Sequence, residues 1–225
     1  MKKLMLAICL LCVGRLGWAQ TAPPLGSAQS FAVLGGSTVT NTGATVVNGD
    51  LGVSPGTAVT GFPPGSVSGG TTHAGDATAT AAQAGAHKAY QDLVAEPCGT
   101  NLTGKTLGTS PGAVTLSPGV YCFDSSAQLT GTLTLNGSGV YVFKIGSTLT
   151  TASKSSVVLA KGATAGNVFW QVTSSATLGT NTAFEGSILA LISDTVTTGA
   201  SVSGRVFALT GSVTLSGNRI RAASK

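Results

Sequence analysis

The sequence predicts a mainly β protein that winds into a solenoid with three faces. Strand-length phrases recur between glycines at intervals of about 20 residues. Residues Thr198–Ala208 repeat the pattern of Asn181–Ala190 about 18 positions earlier, and Thr42–Val53 repeat it near the other end. A regular repeat of this length is typical of stacked coils, because each coil buries its apolar side only against its neighbours.

Three kinds of strand follow one another in a fixed order along the chain. The first has an aliphatic centre between Thr or Ser neighbours, as in Ser147–Thr150 and Asp194–Thr197. The second is shorter, as in Leu133–Leu135, and the third is more apolar, as in Val140–Phe143 and Val168–Trp170. Three short strands per turn, with small residues at the corners, predict a triangular β-helix.

The alternation of side chains along a strand predicts which of them enter the core. In the first kind of strand the central Leu or Val points inwards, and its neighbours, mostly Thr, point outwards. The third kind carries bulky apolar residues at successive positions, which predicts that both of its faces are covered.

One segment interrupts the strands and predicts a helix over about residues 74–95. It is rich in alanine, lacks a β-branched run, and is followed by Pro97, which ends helices. We expect this helix to lie along the solenoid and cover an apolar face. The coils before it, at about residues 27–62, must then stack with coils after it, and the sequence leaves their insertion point open.

Residues 1–19 have the pattern of a secretory signal peptide. Lys2 and Lys3 precede the apolar run Leu4–Val13, which is too short to span a bilayer, and the small residues Gly17 and Ala19 mark a cleavage site after Ala19. We expect cleavage there, leaving residues 20–225 as a single domain. The predicted location is secreted, either extracellular or in the periplasm or envelope.

The charge of the chain argues against nucleic acid and membrane partners. Charged residues make up only 8% of the sequence, and the 32 threonines outnumber them. Removing the signal takes away Lys2, Lys3 and Arg15, so the 12 basic residues become 9 against 7 acidic ones. No cluster of Lys or Arg remains, so neither nucleic acid nor an anionic membrane is an expected partner.

Cys98 and Cys122 are the two cysteines that follow the signal. A single pair in an exported protein predicts a disulfide, which would close a loop of about 25 residues and stabilise the fold by roughly 3 kcal/mol. The histidines, His73 and His87, have no ligand-like spacing to these cysteines. We therefore expect no metal site.

An enzyme is not expected. Solenoid hydrolases that cleave polysaccharides need two carboxylates converging on a sugar. Asp124, Glu185 and Asp194 are candidates, but single acids at coil corners are usually solvated or cap turns. A second alternative is a surface or adhesion solenoid that binds polysaccharide or protein. Exposed aromatic residues would favour it, whereas Trp170, the one tryptophan after the signal, has the repeat position of a core residue.

The recurring threonines are a further feature of the sequence, although threonine is also common on exposed strands because of its β-propensity alone. Their positions repeat at the same place in each coil and are almost free of charge. Stacked coils would repeat them about every 4.8 Å, and outward residues would follow about every 7 Å along a strand. Hydroxyl groups anchor water and methyl groups order it, so a rigid grid of both can fit a crystal face of ice through many weak contacts. This pattern therefore favours ice as the partner.

The chain resembles the microbial ice-binding protein family over about residues 25–221. The stretches that carry the resemblance are Leu25–Leu34, Gly49–Gly56, Leu116–Tyr121, Val168–Val172 and Phe184–Ala190. The resemblance implies a discontinuous right-handed β-helix with a long helix alongside. It also implies a protein that adsorbs to ice, restrains crystal growth and recrystallisation, and needs no cofactor.

The family's loose Thr-Ala/Gly-x-Thr/Asn motif is matched by Thr42–Thr45, Thr57–Thr60 and Thr164–Asn167, whereas Thr198–Ser201 departs at its last position. By the strand assignment these matches fall on more than one face. The motif does not select a face, so we predict the ice-binding site on the threonine-rich face of the first strand kind. We expect a monomer whose partner is an ice crystal surface. The predicted ice-binding residues are Thr38, Thr40, Thr57, Thr60, Thr130, Thr148, Thr150, Thr177, Thr195, Thr197, Ser212 and Thr214.

Overall fold

The computed structural model describes residues 20–223, which form three parallel β-sheets around one core and a helix alongside. The predicted signal peptide, residues 1–19, lies outside the described residues. The strands before the helix are β1 (Phe31–Gly35), β2 (Thr38–Thr42), β3 (Val46–Asn48), β4 (Asp50–Val53), β5 (Ala58–Thr60), β6 (Ser66–Ser68) and β7 (Thr72–Ala74). The helix, α1, spans Ala77–Ala95.

The later strands continue the winding. They are β8 (Thr100–Asn101), β9 (Thr115–Leu116), β10 (Gly119–Phe123), β11 (Ala127–Leu129), β12 (Thr132–Asn136), β13 (Tyr141–Ile145), β14 (Leu149–Thr151), β15 (Ser156–Ala160), β16 (Val168–Val172), β17 (Ala176–Leu178), β18 (Ala183–Glu185), β19 (Ser187–Ala190), β20 (Asp194–Val196), β21 (Ser201–Ser203), β22 (Val206–Ala208), β23 (Val213–Ser216) and β24 (Arg219–Arg221). Short 3₁₀ turns lie at Gly26–Ala28 and Ala165–Asn167.

Each predicted kind of strand forms one sheet, which confirms the three-faced solenoid. Sheet A contains the apolar kind in the order β7-β4-β1-β22-β19-β16-β13-β10-β8. Sheet B contains the threonine-rich kind in the order β11-β14-β17-β20-β23-β2-β5. Sheet C contains the short kind in the order β6-β3-β24-β21-β18-β15-β12-β9.

The order of strands shows where the N-terminal coils insert. Strand β1 pairs with β22, β2 pairs with β23 and β3 pairs with β24, in each case in parallel. The first coil of the chain therefore stacks directly on the last coil, and the solenoid is discontinuous in sequence although continuous in space.

The interior is apolar and contains a stack of aromatic rings. The rings of Phe143 and Trp170 lie 3.8 Å apart and nearly parallel, with Tyr121 on one side and Phe184 on the other. Trp170 is fully buried, as its repeat position predicts, and its indole N–H donates to the carbonyl of Glu185 at 3.0 Å. An indole buried in this way needs such a partner, so the ring is a core element.

Helix α1 begins three residues later than predicted, because Ala74 belongs to strand β7. Asp76 is its N-cap, and the carboxylate accepts the backbone N–H of Ala79 at 2.8 Å. The helix ends at Ala95, just before Pro97. The capping interaction stabilises a helix by about 1 kcal/mol. The position of Asp76 therefore decides where the helix begins, although the alanine-rich segment used for the prediction begins earlier.

The helix covers the outer face of sheet A. Alanines of the helix pack in one buried cluster with Phe169, Leu189 and Phe207. Close approach is possible at Gly85, where a Cβ atom would lie 2.5 Å from the carbonyl oxygen of Leu25. Burying one Leu or Phe side chain stabilises the fold by about 1.5–3 kcal/mol, so covering this face with α1 contributes substantially to stability.

A disulfide joins Cys98 to Cys122, as predicted. It ties the segment that follows α1 to β10 near one end of sheet A. The coil at this end has a neighbour on one side only, so a covalent link compensates for the missing stacking partner.

Candidate functional site

The outer face of sheet B carries a column of threonines in register. From one end of the sheet, the residues of this threonine ladder are Thr60, Thr40, Thr214, Thr195, Thr177 and Thr150, followed by Gln128. Each member pairs with the next across a parallel strand pair, so six successive coils present the same side chain. Thr40 and Thr214, which are adjacent in the ladder, come from opposite ends of the sequence.

Two further columns flank the ladder, one on each side. The first consists of Ala58, Thr38, Ser212, Ser193, Ser175, Thr148 and Ser126. The second consists of Thr42, Ser216, Thr197, Gly179, Ala152 and Thr130. We call the ladder and these columns together the sheet B face.

The sheet B face is a regular grid. Adjacent members of a column are about 4.8 Å apart, and neighbouring columns are about 7 Å apart. Its strand pairs keep a constant register, whereas the β1–β4 pair of sheet A shifts register between Phe31 and Val33. Constant register keeps every column straight, which is the requirement for matching a repeating lattice.

Most hydroxyl groups of the ladder are available to solvent. Thr40 and Thr214 approach each other only at 3.5 Å, which is a weak contact. Thr60, Thr150, Thr177 and Thr195 use their hydroxyls in no hydrogen bond to another described residue. In the flanking columns, Thr148 donates to Ser126 at 2.8 Å and Thr197 donates to the carbonyl of Leu178 at 2.7 Å. None of the residues in the three columns carries a charge.

The structure places all but one of the predicted residues on this face. Thr57 is the exception. It lies one residue before β5 and has the same parity as Val59, whose side chain faces the core. Its Cγ2 atom lies at the corner, 2.5 Å from where a Cβ on Gly75 would stand.

Several members of the face are absent from the prediction, namely Thr42, Ser126, Ser175, Ser193 and Ser216. Each lies two residues from a ladder threonine, or from Gln128 for Ser126. Because residues two apart on a strand lie on the same face, these five residues could have been predicted from the sequence.

Known proteins with the same sequence pattern and fold identify the family. A family model described as Ice-binding-like matches residues 33–221. The chain belongs to this family. It is 52% identical over 201 residues to an ice-binding protein of Nostoc sp. (strain HG1), covering 87% of this chain and 72% of that protein.

Solved structures of the family share the fold. An ice-binding protein from an Antarctic biological consortium has a TM-score of 0.86 at 44% identity, covering 92% of this chain and 93% of that chain. An ice-binding protein from the Antarctic ascomycete Antarctomyces psychrotrophicus has a TM-score of 0.84 at 39% identity, covering 91% of this chain and all of that chain.

The family's short motif is spread over several parts of the solenoid. Thr42 lies on the sheet B face, but Thr45 is buried at the corner between sheets B and C. Thr164–Asn167 lies at a corner as well, around the 3₁₀ turn before β16. The sheet B face is therefore defined by strand register, and the motif does not delimit it.

A network of buried polar side chains fixes the corner beside the sheet B face. The Asn218 side-chain amide donates to the carbonyl oxygens of Thr197 at 2.7 Å and Ala200 at 3.2 Å. The backbone N–H of Asn218 donates to Thr45 Oγ1 at 3.0 Å. Three stacked coils are thus tied together at one residue. Such cross-coil bonds stiffen the edge of the second flanking column, because buried polar groups strongly favour the geometry that satisfies them.

Asp194 is buried on the inner side of sheet B, which contradicts the expectation of a solvated or turn-capping acid. It is 1% exposed, and neither carboxylate oxygen has a hydrogen-bond partner among the described residues. Burial raises the pKa of its carboxyl well above the usual range, because the core cannot solvate the charged form. The alternation that points Val196 inwards points Asp194 inwards too.

The three candidate acids do not form a carboxylate pair. Asp124 is exposed just after β10 and accepts a hydrogen bond from Asn101 at 2.9 Å. Glu185 lies on the outer side of sheet C, and Asp194 points into the core. Burial raises the pKa of Glu185, with a hydrogen bond from Ser203 opposing the shift. No two of them share a cleft in which they could act on one sugar.

A hydrogen-bonded chain of side chains lies at the start of α1. His73 Nδ1 is 2.7 Å from Asp76 Oδ2, and His73 Nε2 is 2.8 Å from Thr71 Oγ1. The backbone bond from Ala79, followed by the His73 contact, lowers the pKa of Asp76. Because Asp76 also caps the helix, the chain holds the corner between β7 and α1 in place.

Between residues 20 and 223, no group of three His, Cys, Asp or Glu side chains is placed to hold a metal ion. Over the same residues, α1 is not apolar enough to cross a bilayer.

Proposed function

We propose that this protein adsorbs to ice through the sheet B face and thereby inhibits ice growth and recrystallisation. The observation that carries the proposal is the ladder of six threonines in unbroken register, flanked by hydroxyl columns and free of charge. Family membership supports it, because the relatives are named for binding ice.

The physical basis is the sum of many weak contacts on a rigid surface. Each hydroxyl group can hold one water of the crystal, and each methyl group excludes or orders its neighbours. The backbone is already ordered by sheet hydrogen bonds and a packed core, so adsorption costs little conformational entropy. A charged side chain would keep its own hydration shell, which an ice lattice cannot accommodate.

Substitution at the centre and the end of the ladder tests this proposal. Thr195→Tyr places a bulky ring in the middle of the face, and Thr60→Tyr places the same ring near its end. We expect Thr195→Tyr to require about tenfold more protein for the same freezing-point gap, equivalent to about 1.4 kcal/mol of adsorption free energy. Thr60→Tyr should have a smaller effect, since central contacts dominate an interface.

Ser203→Tyr provides the matched control, because Ser203 is an exposed serine at an outward position of sheet C. Circular dichroism should show all three variants folded. A folded Thr195→Tyr protein with full activity would refute the choice of face. Equal losses in Thr195→Tyr and Ser203→Tyr would refute it too.

We also propose that the protein is exported and acts without a cofactor, as a monomer and not as an enzyme. The signal-like residues 1–19 support export, and so does the disulfide, since oxidising compartments favour disulfides. N-terminal sequencing of the exported protein should begin at Gln20. A protein retained in the cytosol with residue 1 still present would contradict export.

A further inference from the structure

The outer face of sheet C carries two arginines in a row. Arg219 and Arg221 are the first and last residues of β24, and both are exposed. Because they are two residues apart on one strand, both side chains leave the same face about 7 Å apart. Strand β24 lies between β3 and β21, inside the sheet rather than at its edge.

Neither arginine is neutralised by a neighbour. The described salt bridges are His73–Asp76 and Lys88–Asp92, and no hydrogen bond to either guanidinium group is found among residues 20–223. The acid of this face, Glu185, lies two strands away from Arg221, at about 10 Å. In a chain with so few charges, two adjacent unpaired cations are an unusual feature.

The charges of the whole molecule are segregated by side. Five of the seven acidic residues lie in sheet A, at its ends or on α1, namely Asp50, Asp76, Asp92, Glu96 and Asp124. Lys154 and Lys161, in contrast, are exposed at the two ends of β15 in sheet C. Lys88 on α1 and Lys144 in β13 offset two of these acids, so sheet A together with α1 is net acidic. Sheet C is net basic although it carries Glu185, and the sheet B face is neutral.

A shallow groove lies at the arginine pair. It has a volume of about 170 Å³ and is lined by Val46, Asn48, Ser201, Ser203, Arg219 and Arg221. That volume would hold about five water molecules, which is comparable to one sugar ring. Hydroxyl and amide groups therefore stand next to two guanidinium groups on one flat surface.

We propose that this sheet C groove binds an acidic polysaccharide through its carboxylate groups. The planar guanidinium group matches a carboxylate with two parallel hydrogen bonds, so each arginine can take one acidic sugar. Ser201, Ser203 and Asn48 provide hydrogen bonds for the sugar hydroxyls. A polymer running along β24 can contact both arginines, and the neighbouring coils place Asn48, Ser201 and Ser203 beside it.

Other partners fit the groove less well. A protein interface would need an apolar core, and sheet C offers only scattered exposed apolar residues such as Val158. Nucleic acid binding normally uses many phosphate contacts, which two arginines and two lysines cannot supply. Neutral polysaccharides need aromatic platforms, and the aromatic rings of the solenoid stack inside the core.

The groove is independent of the ice-adsorbing role. Sheets B and C are different sides of the solenoid, so one molecule can present both surfaces at once. This arrangement would retain the protein in an acidic extracellular matrix while the sheet B face remains free.

Affinity for alginate, a polysaccharide rich in carboxylates, tests the proposal. The purified protein should be retained on immobilised alginate at low salt, released at about 0.3 M salt, and not retained on neutral dextran. The double variant R219Q/R221Q should bind soluble alginate at least about fivefold more weakly, a change to be measured by titration and expressed as a ratio of Kd values.

The double variant K88Q/K105Q removes the same net charge elsewhere and should bind alginate like the wild type. Both double variants should keep full ice-shaping activity, which separates this proposal from the ice-adsorbing function. Absence of retention by the wild type, wild-type affinity of R219Q/R221Q, or an equal loss in K88Q/K105Q would each overturn the proposal. Stronger binding to anionic phospholipid vesicles than to alginate would overturn it too.

Discussion

Sheets B and C are built by the same coils, but their charges are arranged in opposite ways. Sheet B has no charge among its three outer columns and has a carboxyl group, Asp194, on its inner side. Sheet C has Arg219, Arg221 and Glu185 outside, and its inner column is apolar throughout, from Leu133 to Val67. Low charge is therefore a property of one surface, and not simply of the composition.

The boundary between the two sheets is a corner with a special backbone. Most coils place a residue with positive φ there, usually glycine, as at Gly43 and Gly199. Asn181 and Lys154 take this conformation without being glycine. The corner sharply separates a side that fits ordered water from a side that can carry ions.

Placing a positive charge on the sheet B face should have the largest effect on ice-shaping activity. Thr214→Arg places an arginine on the threonine ladder in the coil that already presents Arg219 and Arg221. We expect ice-shaping activity to fall by tenfold or more, because the guanidinium keeps its hydration shell at the adsorbing surface. The freezing-point gap against protein concentration gives the measurement.

Ser203→Arg supplies the counterpart on sheet C and should leave the freezing-point gap unchanged. Thermal unfolding should place both variants within about 0.5 kcal/mol of the wild type, as is usual for exposed positions. If Ser203→Arg were as damaging as Thr214→Arg, total charge would be the cause and the distinction between the two sides would fail.

Removing the acid inside sheet B should stabilise the protein by about 2 kcal/mol at pH 7. Asp194→Val introduces an apolar side chain of similar branched shape between Ala176 and Val213 in the inner column, and it leaves no described partner unsatisfied. A buried carboxyl group without a hydrogen-bond partner costs about 1–3 kcal/mol of stability, and the apolar side chain avoids that cost. Chemical denaturation measures the change.

The pH dependence of the same variant provides an independent check. The unfolded Asp194 has a pKa of about 3.9, whereas burial raises the folded pKa well above it. Between these values the folded state holds a proton that the unfolded state has lost, so wild-type stability falls as pH rises from about 4. Asp194→Val should flatten this slope, whereas Asp124→Asn, at an exposed acid, should keep it. An unchanged slope in Asp194→Val would contradict a buried neutral carboxyl.

Filling the gap in the second flanking column should produce the smallest effect, which is an increase in ice-binding activity. Ala152 leaves a gap in the second flanking column, between Thr130 and Gly179. Ala152→Thr should raise activity up to about twofold, since one additional contact contributes a few tenths of a kcal/mol. Ala160→Thr, on sheet C, should change nothing. Recrystallisation assays over a dilution series can resolve the difference, and a loss with Ala152→Thr would show that the gap is required.

Much of the fold could be predicted because its signals are local. The three kinds of strand each became one sheet, since alternation and burial are set within three to five residues. The helix was placed within three residues because alanine composition and Pro97 mark it. Trp170 was assigned to the core from its repeat position alone, and the disulfide from its being the one pair after the signal.

The remaining features depend on geometry that local patterns do not contain. The junction between β1 and β22 could not be predicted, because any coil edge offers the same unpaired backbone groups. Thr57 was misplaced, since alternation ends at a corner. The charge of Asp194 predicts an exposed side chain, whereas its position in the strand alternation places the side chain in the core. The choice of the sheet B face, and of each residue in it, remains a prediction until the variants are measured.

The junction between the two ends of the sequence has a consequence for biosynthesis. The ladder is complete only when β23 meets β2, and these strands are separated by most of the polypeptide. On the ribosome or at the translocon, an incomplete nascent chain would hold the two parts of the ladder in separate stacks of strands, each with an unpaired edge strand. Loop closure over such a distance is slow, so maturation of the adsorbing surface should be the last event in folding. Only a chain that has been synthesised as far as β23 can therefore present the complete ladder.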